Sequence, residues 1–225
     1  DQEKDLINRP NKLFIDRMIS QKTKLYLYFI LNGLVLFLSF IISIRASLFF
    51  GGYMFLIWLY SHKIKKLPII GNITSALLSV TPFFAILLYF KNYNLLIFVF
   101  GFYLFLILAI KELIKSIENI KGDFTLNYKT VAVIYGEYST KWIISVMILI
   151  NCLVSILLIF YFDISMMFTF FVGASIYLLI LLFFVWTAKE RKQYTLIHIL
   201  LKLLILVGVF SIVLLDPELI INKIF

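Results

Sequence analysis

The sequence predicts an all-α protein, a polytopic bundle of membrane-spanning helices. Of its 225 residues, 63% are hydrophobic and only 15% are charged, whereas about a quarter of the residues in a typical soluble domain are charged. The apolar residues fall into long blocks rather than short alternating strands, and a block of about 20 residues matches the thickness of a bilayer. These observations exclude a water-soluble globule, and the composition also argues against disorder, coiled coils and collagen.

Seven apolar blocks along the chain predict seven spans. They cover residues 25–44, 47–61, 69–90, 95–110, 142–162, 165–187 and 196–215. The second and fourth blocks are short, so we expect their helices to tilt or to extend beyond the membrane surface. Pro82 should kink the third span, and the hydroxyl groups of Ser79 and Thr81 should partly satisfy the carbonyl that this proline frees.

The distribution of basic residues predicts the orientation of these spans. All of the 21 Lys and Arg residues except Arg45, Lys91 and Lys223 belong to the N-terminal segment or to alternate connections. Because Lys and Arg are retained on the cytoplasmic side, we expect a multi-pass protein of the inner or plasma membrane with these connections in the cytoplasm. The net charge of +9 then reflects membrane topology. We therefore expect contacts with membrane lipids and no nucleic-acid partner.

The single cysteine gives no sign of an oxidised fold. Cys152 lies inside an apolar block, and one cysteine cannot form an intrachain disulfide or a cysteine metal site. We expect it to be a small buried apolar side chain.

Two polar stripes lie at the predicted cytoplasmic ends of spans. Residues three or four positions apart share one face of a helix. Mg²⁺ prefers oxygen ligands and is commonly held by one or two carboxylates together with substrate phosphates, so Mg²⁺ and a diphosphate between the stripes are chemically sensible. The alternative from spacing alone is an ordinary solvated helix end. The stripes are Asp1, Asp5 and Asn8, and Glu112, Ser116, Asn119 and Asp123.

The same segments resemble the motifs of the UbiA family of intramembrane prenyltransferases. Residues 1–10, DQEKDLINRP, resemble the second half of the first aspartate-rich motif and its Asn-Arg-Pro extension, with Asp1 and Asp5 as the last two aspartates. Residues 111–123, KELIKSIENIKGD, resemble the second motif, and residues 60–65 and 71–72 resemble elements of the loop between the motifs. The resemblance covers the whole chain and implies a nine-helix fold. Residues 1–225 would then be one membrane domain that lacks the first two helices.

The resemblance implies transfer of a polyprenyl group from a polyprenyl diphosphate to an acceptor, with Mg²⁺ as cofactor. The implied acceptor is an aromatic compound or a prenylglyceryl phosphate. Residues 7–10 are more similar to the family branch that contains digeranylgeranylglyceryl phosphate synthases and chlorophyll synthases than to the 4-hydroxybenzoate branch. The implied catalytic residues are Asp1, Asp5 and Asp123. The implied metal ligands are Asp1, Asp5, Glu112, Asn119 and Asp123. The implied diphosphate ligands are Arg9, Lys65, Asn72, Lys115 and Lys129.

Three positions depart from the second motif. Ser116 and Asn119 stand where the family commonly has Asp, and Lys111 replaces a frequent Arg. Neutral oxygen ligands attract a hard cation less strongly than carboxylates do. Two alternatives to a prenyltransferase therefore stay open: a catalytically degraded membrane paralogue or scaffold, and a facilitator of lipidic substrates.

Overall fold

A computed structural model describes residues 19–89, 91 and 94–211, with the side chains of residues 86–88 excepted. These residues form α-helices, two short 3-10 segments and no strand. Among the described residues, six helices are long and apolar enough to cross a membrane, and the third of the seven predicted spans corresponds to a shorter apolar stretch, Ile70–Ala85. The predicted polytopic helical bundle is confirmed.

The helices follow the predicted blocks and extend several of them. As expected for a short apolar block, α4 continues past Ile110 to Glu118. The helices are α1 Gln21–Ile42, α2 Ile44–His62, α3 Ile70–Tyr89, α4 Leu95–Glu118, α5 Ile120–Thr125, α6 Val131–Tyr161, α7 Phe168–Thr187 and α8 Arg191–Ser211, and the 3-10 segments are Ile64–Lys66 and Ser165–Met167.

Pro82 lies inside α3, and a residue of the neighbouring helix compensates for its missing amide hydrogen. A proline frees the carbonyl four residues earlier, which here belongs to Leu78. The hydroxyl group of Tyr53 on α2 donates to that carbonyl oxygen at 2.8 Å. The hydroxyls of Ser79 and Thr81 donate to other carbonyls of α3, so the prediction that they satisfy the freed carbonyl is wrong.

The centre of the bundle is α4, which packs against α3, α6 and α8. The main core is built by α4, α6, α7 and α8; in it the ring of Phe171 lies 5.0 Å from the ring of Tyr103 in a T-shaped arrangement. By contrast, α2 has no buried residue. This difference fits a membrane protein, since lipid tails are as apolar as the side chains that face them.

Helix α6 begins well before the predicted span and changes direction at a glycine. It starts at Val131, and Gly136 has φ 80° and ψ 169°, outside the helical region. L-residues rarely adopt such a conformation, whereas glycine has no Cβ to oppose it. Gly136 therefore separates a short first turn, next to α5, from the long apolar part of α6.

Long-range contacts bring the basic connections together at one end of the bundle. The backbone N–H of Lys129, between α5 and α6, donates to the carbonyl oxygen of Lys66, between α2 and α3, at 3.0 Å. The start of α8 reaches the same end, because the Tyr194 hydroxyl donates to the Glu137 carboxylate of α6 at 2.6 Å. The alternate connections predicted to share one membrane side thus meet at one end of the bundle.

Candidate active site

The predicted site residues divide into those that the structure describes and those that it does not. Asp1, Asp5 and Arg9 lie outside the described residues, so their predicted roles stay predictions. The other predicted residues lie at the basic end of the bundle, on the start of α3, on the end of α4, on α5 and in the connections beside them. They are Lys65, Asn72, Glu112, Lys115, Asn119, Asp123 and Lys129.

Glu112 lies between two lysines on the last turns of α4. The Lys111 and Lys115 ammonium nitrogens each lie 3.3 Å from one of its carboxylate oxygens, and the Glu112 side chain is only 9% exposed. Two nearby ammonium groups offset the cost of placing this carboxylate in a largely buried position. The result is a compact group of one negative and two positive charges, with Lys115 the more exposed of the two lysines.

The Gly71–Asn72 pair joins α3 to this group. A Cβ at Gly71 would lie 3.0 Å from the carbonyl oxygen of Ile64 and 3.2 Å from that of Lys65, so glycine permits a close approach of backbones. The Asn72 side-chain nitrogen donates to the backbone carbonyl of Glu112 at 3.2 Å. The Asn72 amide group therefore holds α3 against α4 at Glu112.

Tyr128 lies in the segment between α5 and α6 and contacts the segment between α2 and α3. Sequence patterns did not predict a role for it. The ammonium groups of Lys65 and Lys66 lie 5.8 Å and 5.3 Å from its ring centroid, within the range of cation–π attraction. The neighbouring Lys129 is exposed. No sequence signal distinguishes Tyr128 from the other 12 tyrosines, because its role depends on a contact between segments far apart in the chain.

The two neutral residues of the second stripe have hydrogen-bonding roles within the fold. The hydroxyl oxygen of Ser116 accepts from the Ala132 N–H at 3.4 Å, in the first turn of α6. Asn119 follows the last residue of α4, and its side-chain nitrogen donates to the Lys115 carbonyl at 2.9 Å. Both residues are buried.

Asp123 lies on α5 and is buried, with 1% of its surface exposed. The Thr130 hydroxyl, just before α6, donates to its carboxylate at 3.4 Å. The Tyr128 N–H donates to the Asp123 backbone carbonyl at 2.8 Å. The connection from α5 to α6 thus folds around Asp123, and the same connection carries Tyr128.

Glu118 has distant partners that sequence patterns did not reveal. It is the last residue of α4, and its side chain is fully buried. Its carboxylate contacts Nδ1 of His198 at 3.0 Å and accepts from the Thr195 hydroxyl at 3.1 Å, and Arg191 lies 3.8 Å away. All three partners belong to α8.

The described residues supply oxygen donors but no complete metal site. Glu112 and Asp123 offer carboxylates and Asn119 an amide oxygen, which are donor types that suit Mg²⁺. Within the described part of the chain, no group of three or more His, Cys, Asp and Glu residues is placed to hold a metal ion. These donor types suit Mg²⁺, and a Mg²⁺ site at these residues would need substrate phosphates and further carboxylates.

The described residues thus form an apolar helical bundle with acidic and basic groups collected at one end. A model of the UbiA prenyltransferase family matches residues 1–215. The chain therefore belongs to the UbiA prenyltransferase family.

Three curated relatives carry the same name, digeranylgeranylglyceryl phosphate synthase. The Methanosphaera stadtmanae protein is 34% identical over 161 residues, which are 72% of this chain and 59% of that protein. The Pyrococcus furiosus protein is 33% identical over 61% of this chain and 49% of its own length. The Sulfurisphaera tokodaii protein is 31% identical over 75% of this chain and 61% of its own length. The chain thus spans about half to three fifths of these relatives, and no solved structure matches it significantly.

Proposed function

We propose that the protein transfers a polyprenyl group from a polyprenyl diphosphate to a lipidic acceptor at the membrane surface. The observation that carries the proposal is the group formed by Glu112, Lys111 and Lys115 beside Asn72, at the basic end of an apolar bundle. A prenyl chain is stable among apolar helices and lipid, whereas its diphosphate needs positive charge at the membrane surface. One end of this bundle offers both environments.

We propose Mg²⁺ as the cofactor, held by Glu112, Asn119 and Asp123 together with Asp1 and Asp5. The first three supply oxygen donors from α4, from the residue between α4 and α5, and from α5, and the phosphates of the donor would complete the coordination. When bound, the metal supplies Lewis-acid stabilisation of the departing diphosphate.

The lysines of the site have a separate role in the proposal. Lys115 is partly exposed beside Glu112, and Lys65 and Lys129 lie on the two connections that meet at Tyr128. Ammonium groups bind phosphate oxygens through charge-assisted hydrogen bonds. We propose that these lysines, with Arg9 and Asn72, bind the diphosphate, and the Asn72 amide group also holds α3 against α4.

The proposed acceptor is a prenylglyceryl phosphate, because relatives over most of this chain are named digeranylgeranylglyceryl phosphate synthases. Its hydroxyl oxygen forms a new bond to the allylic carbon of the donor as the bond from that carbon to the diphosphate breaks. The diphosphate leaves with the electron pair, and the hydroxyl proton passes to it or to water. An aromatic quinone precursor is the second candidate acceptor.

The basic end would face the cytoplasm, since Lys and Arg are retained on that side. A catalytically degraded paralogue is the competing function. The observation that favours it is the use of Ser116 as a hydrogen-bond acceptor for α6, where a family carboxylate is usual.

The proposal is tested with the full-length protein in liposomes. Labelled geranylgeranyl diphosphate is supplied with a panel of prenylglyceryl phosphates and quinone precursors, with Mg²⁺ or with EDTA. We expect Mg²⁺-dependent transfer to a prenylglyceryl phosphate. Transfer at the same rate in EDTA would remove the metal from the proposal, and no transfer to any acceptor would favour the degraded paralogue.

Two variants test the site itself. Glu112→Gln and Asp123→Asn should each lower transfer by at least about tenfold, since even changes at residues that only hydrogen-bond a metal ligand typically cost about 10–100-fold in affinity or activity. Glu137→Gln is the matched control, because Glu137 is a more exposed carboxylate at the same end of the bundle, ion-paired with Lys141. Equal losses in all three variants would contradict the assignment of the site.

A further inference from the structure

Glu118 and His198 form a buried pair between α4 and α8. The Nδ1 atom of His198 lies 3.0 Å from one carboxylate oxygen of Glu118, and the Thr195 hydroxyl donates to the other at 3.1 Å. The His198 side chain is 8% exposed and the Glu118 side chain 0%. A carboxylate buried to this degree is stable only when hydrogen bonds or opposite charges replace its water, so its position depends on His198 and Thr195, with the Arg191 guanidinium 3.8 Å away.

The partners of Glu118 differ from those of the two proposed metal carboxylates. Glu112 contacts lysines on its own helix. Asp123 accepts a hydrogen bond from the hydroxyl of Thr130, which is only seven residues away in the sequence. Glu118 instead forms a hydrogen bond with His198, which is 80 residues away in the sequence. The pair therefore fixes the end of α4 relative to a helix that contributes none of the proposed metal or diphosphate ligands.

Glu118 also occupies the point where the second motif changes direction. It ends α4, Asn119 follows with φ −106° and ψ 11°, and α5 then begins with Ile120 and carries Asp123. Glu112 lies before this turn and Asp123 after it. A shift of Glu118 would therefore change the relative position of the two carboxylates.

We propose that His198 is a positioning residue that, by holding the Glu118 carboxylate, keeps Glu112 and Asp123 in the arrangement that binds Mg²⁺ with the donor diphosphate. This inference rests on the proposed function. His198 acts through Glu118 and touches neither metal nor substrate. Its removal should therefore raise the Mg²⁺ concentration needed for donor binding more than it changes the affinity for the acceptor.

The geometry of the pair supplies a specific set of variants. The amide nitrogen of Asn can occupy nearly the place of Nδ1, so His198→Asn should retain the hydrogen bond to Glu118. The amide nitrogen of Gln corresponds to Nε2, so His198→Gln places the donor in the wrong position, and His198→Leu removes it. Tyr177→Phe is the control, because it removes another hydrogen bond to α8, from Tyr177 to the Leu200 carbonyl at 3.1 Å.

The experiment measures Mg²⁺-dependent binding of a non-reactive prenyl thiodiphosphate to the full-length protein by titration calorimetry, with transfer kinetics alongside. We expect His198→Leu and His198→Gln to raise the half-saturating Mg²⁺ concentration about 10–100-fold, as for other residues that orient metal ligands. His198→Asn and Tyr177→Phe should bind like the wild type, and the KM for the acceptor should change little in all variants.

The outcomes separate this inference from the function on which it rests. If the wild type shows no Mg²⁺-dependent binding of the analogue, the proposed function fails. If the wild type binds and His198→Leu needs the same Mg²⁺ concentration, the positioning role is wrong. Should His198→Leu fail to fold, His198→Gln decides, and equal weakening by His198→Asn and His198→Gln would overturn the inference.

Discussion

Ser116 and Asn119 stand where carboxylates are common in the family motif, and both side chains are used inside the fold. Ser116 accepts a hydrogen bond from the first turn of α6, and Asn119 donates one to the Lys115 carbonyl. A serine hydroxyl at this place satisfies one of the N–H groups that a helix leaves free at its beginning. The presence of Ser116 and Asn119 instead of carboxylates therefore adds hydrogen bonds within the fold and also lowers the negative charge of the site.

Ser116→Ala should lower the free energy of unfolding by about 1 kcal/mol, the usual cost of losing a side-chain acceptor at a helix N-terminus. Denaturant titration of the protein in detergent micelles measures the change. Ser79→Ala is the control, because the exposed Ser79 hydroxyl donates a hydrogen bond to the Ser75 carbonyl of its own helix. Equal effects of the two substitutions would show that the contact between Ser116 and Ala132 contributes nothing.

The kink of α6 and the proline of α3 show how single helices adapt to the bundle. Gly136 permits a non-helical residue near the start of α6, so that the segment beside α5 and the apolar segment take different directions. In α3, the Tyr53 hydroxyl replaces the hydrogen bond that Pro82 cannot make. An unsatisfied carbonyl is costly in a bilayer, where no water is present to bond it.

Gly136→Ala should destabilise the protein, whereas Gly173→Ala should not. A Cβ would meet no atom within 4 Å at either position, so packing is not the difference. At Gly136 the positive φ makes alanine unfavourable by about 1–3 kcal/mol. At Gly173, inside α7, alanine should be neutral or stabilising by up to about 1 kcal/mol, because glycine is a poor helix former. Unfolding midpoints of the two variants in one detergent give the comparison, and destabilisation by both would contradict it.

The part of the chain that the structure describes has one strongly basic end. The backbone bond between Lys129 and Lys66 and the bond between Tyr194 and Glu137 join connections that are far apart in the chain. Lys91 lies in the connection between α3 and α4, which belongs to the opposite set. This asymmetry is the pattern that orients membrane proteins during insertion.

A labelling experiment tests the orientation. In a Cys152→Ala background, Lys63→Cys and Lys91→Cys each remove one exposed lysine and introduce one cysteine. A membrane-impermeant maleimide should label Lys63→Cys only from the cytoplasmic side and Lys91→Cys only from the other side. Labelling of both from the same side would contradict the predicted topology and the cytoplasmic site.

Local patterns in the sequence were sufficient for much of this account. The helical spacing of Glu112 and Asp123 predicted one shared helix face, but α4 ends at Glu118 and Asp123 lies on α5, so this prediction is wrong. Apolar blocks of bilayer length did predict the helical bundle, and the short fourth block predicted a helix that extends beyond its apolar residues. Each of these features depends on residues close together in the chain. Hydrophobicity and helical period act over such distances, so they can be recognised before any packing is known.

Contacts between distant segments required the folded chain. Tyr53 faces the carbonyl freed by Pro82, Tyr128 lies beside Lys65 and Lys66, and His198 holds Glu118. No spacing rule links such pairs, because the packing angle and rotation of each helix select which side chains meet. The sequence therefore predicted the span ends that carry the candidate site, while helix packing determines which residues position its carboxylates.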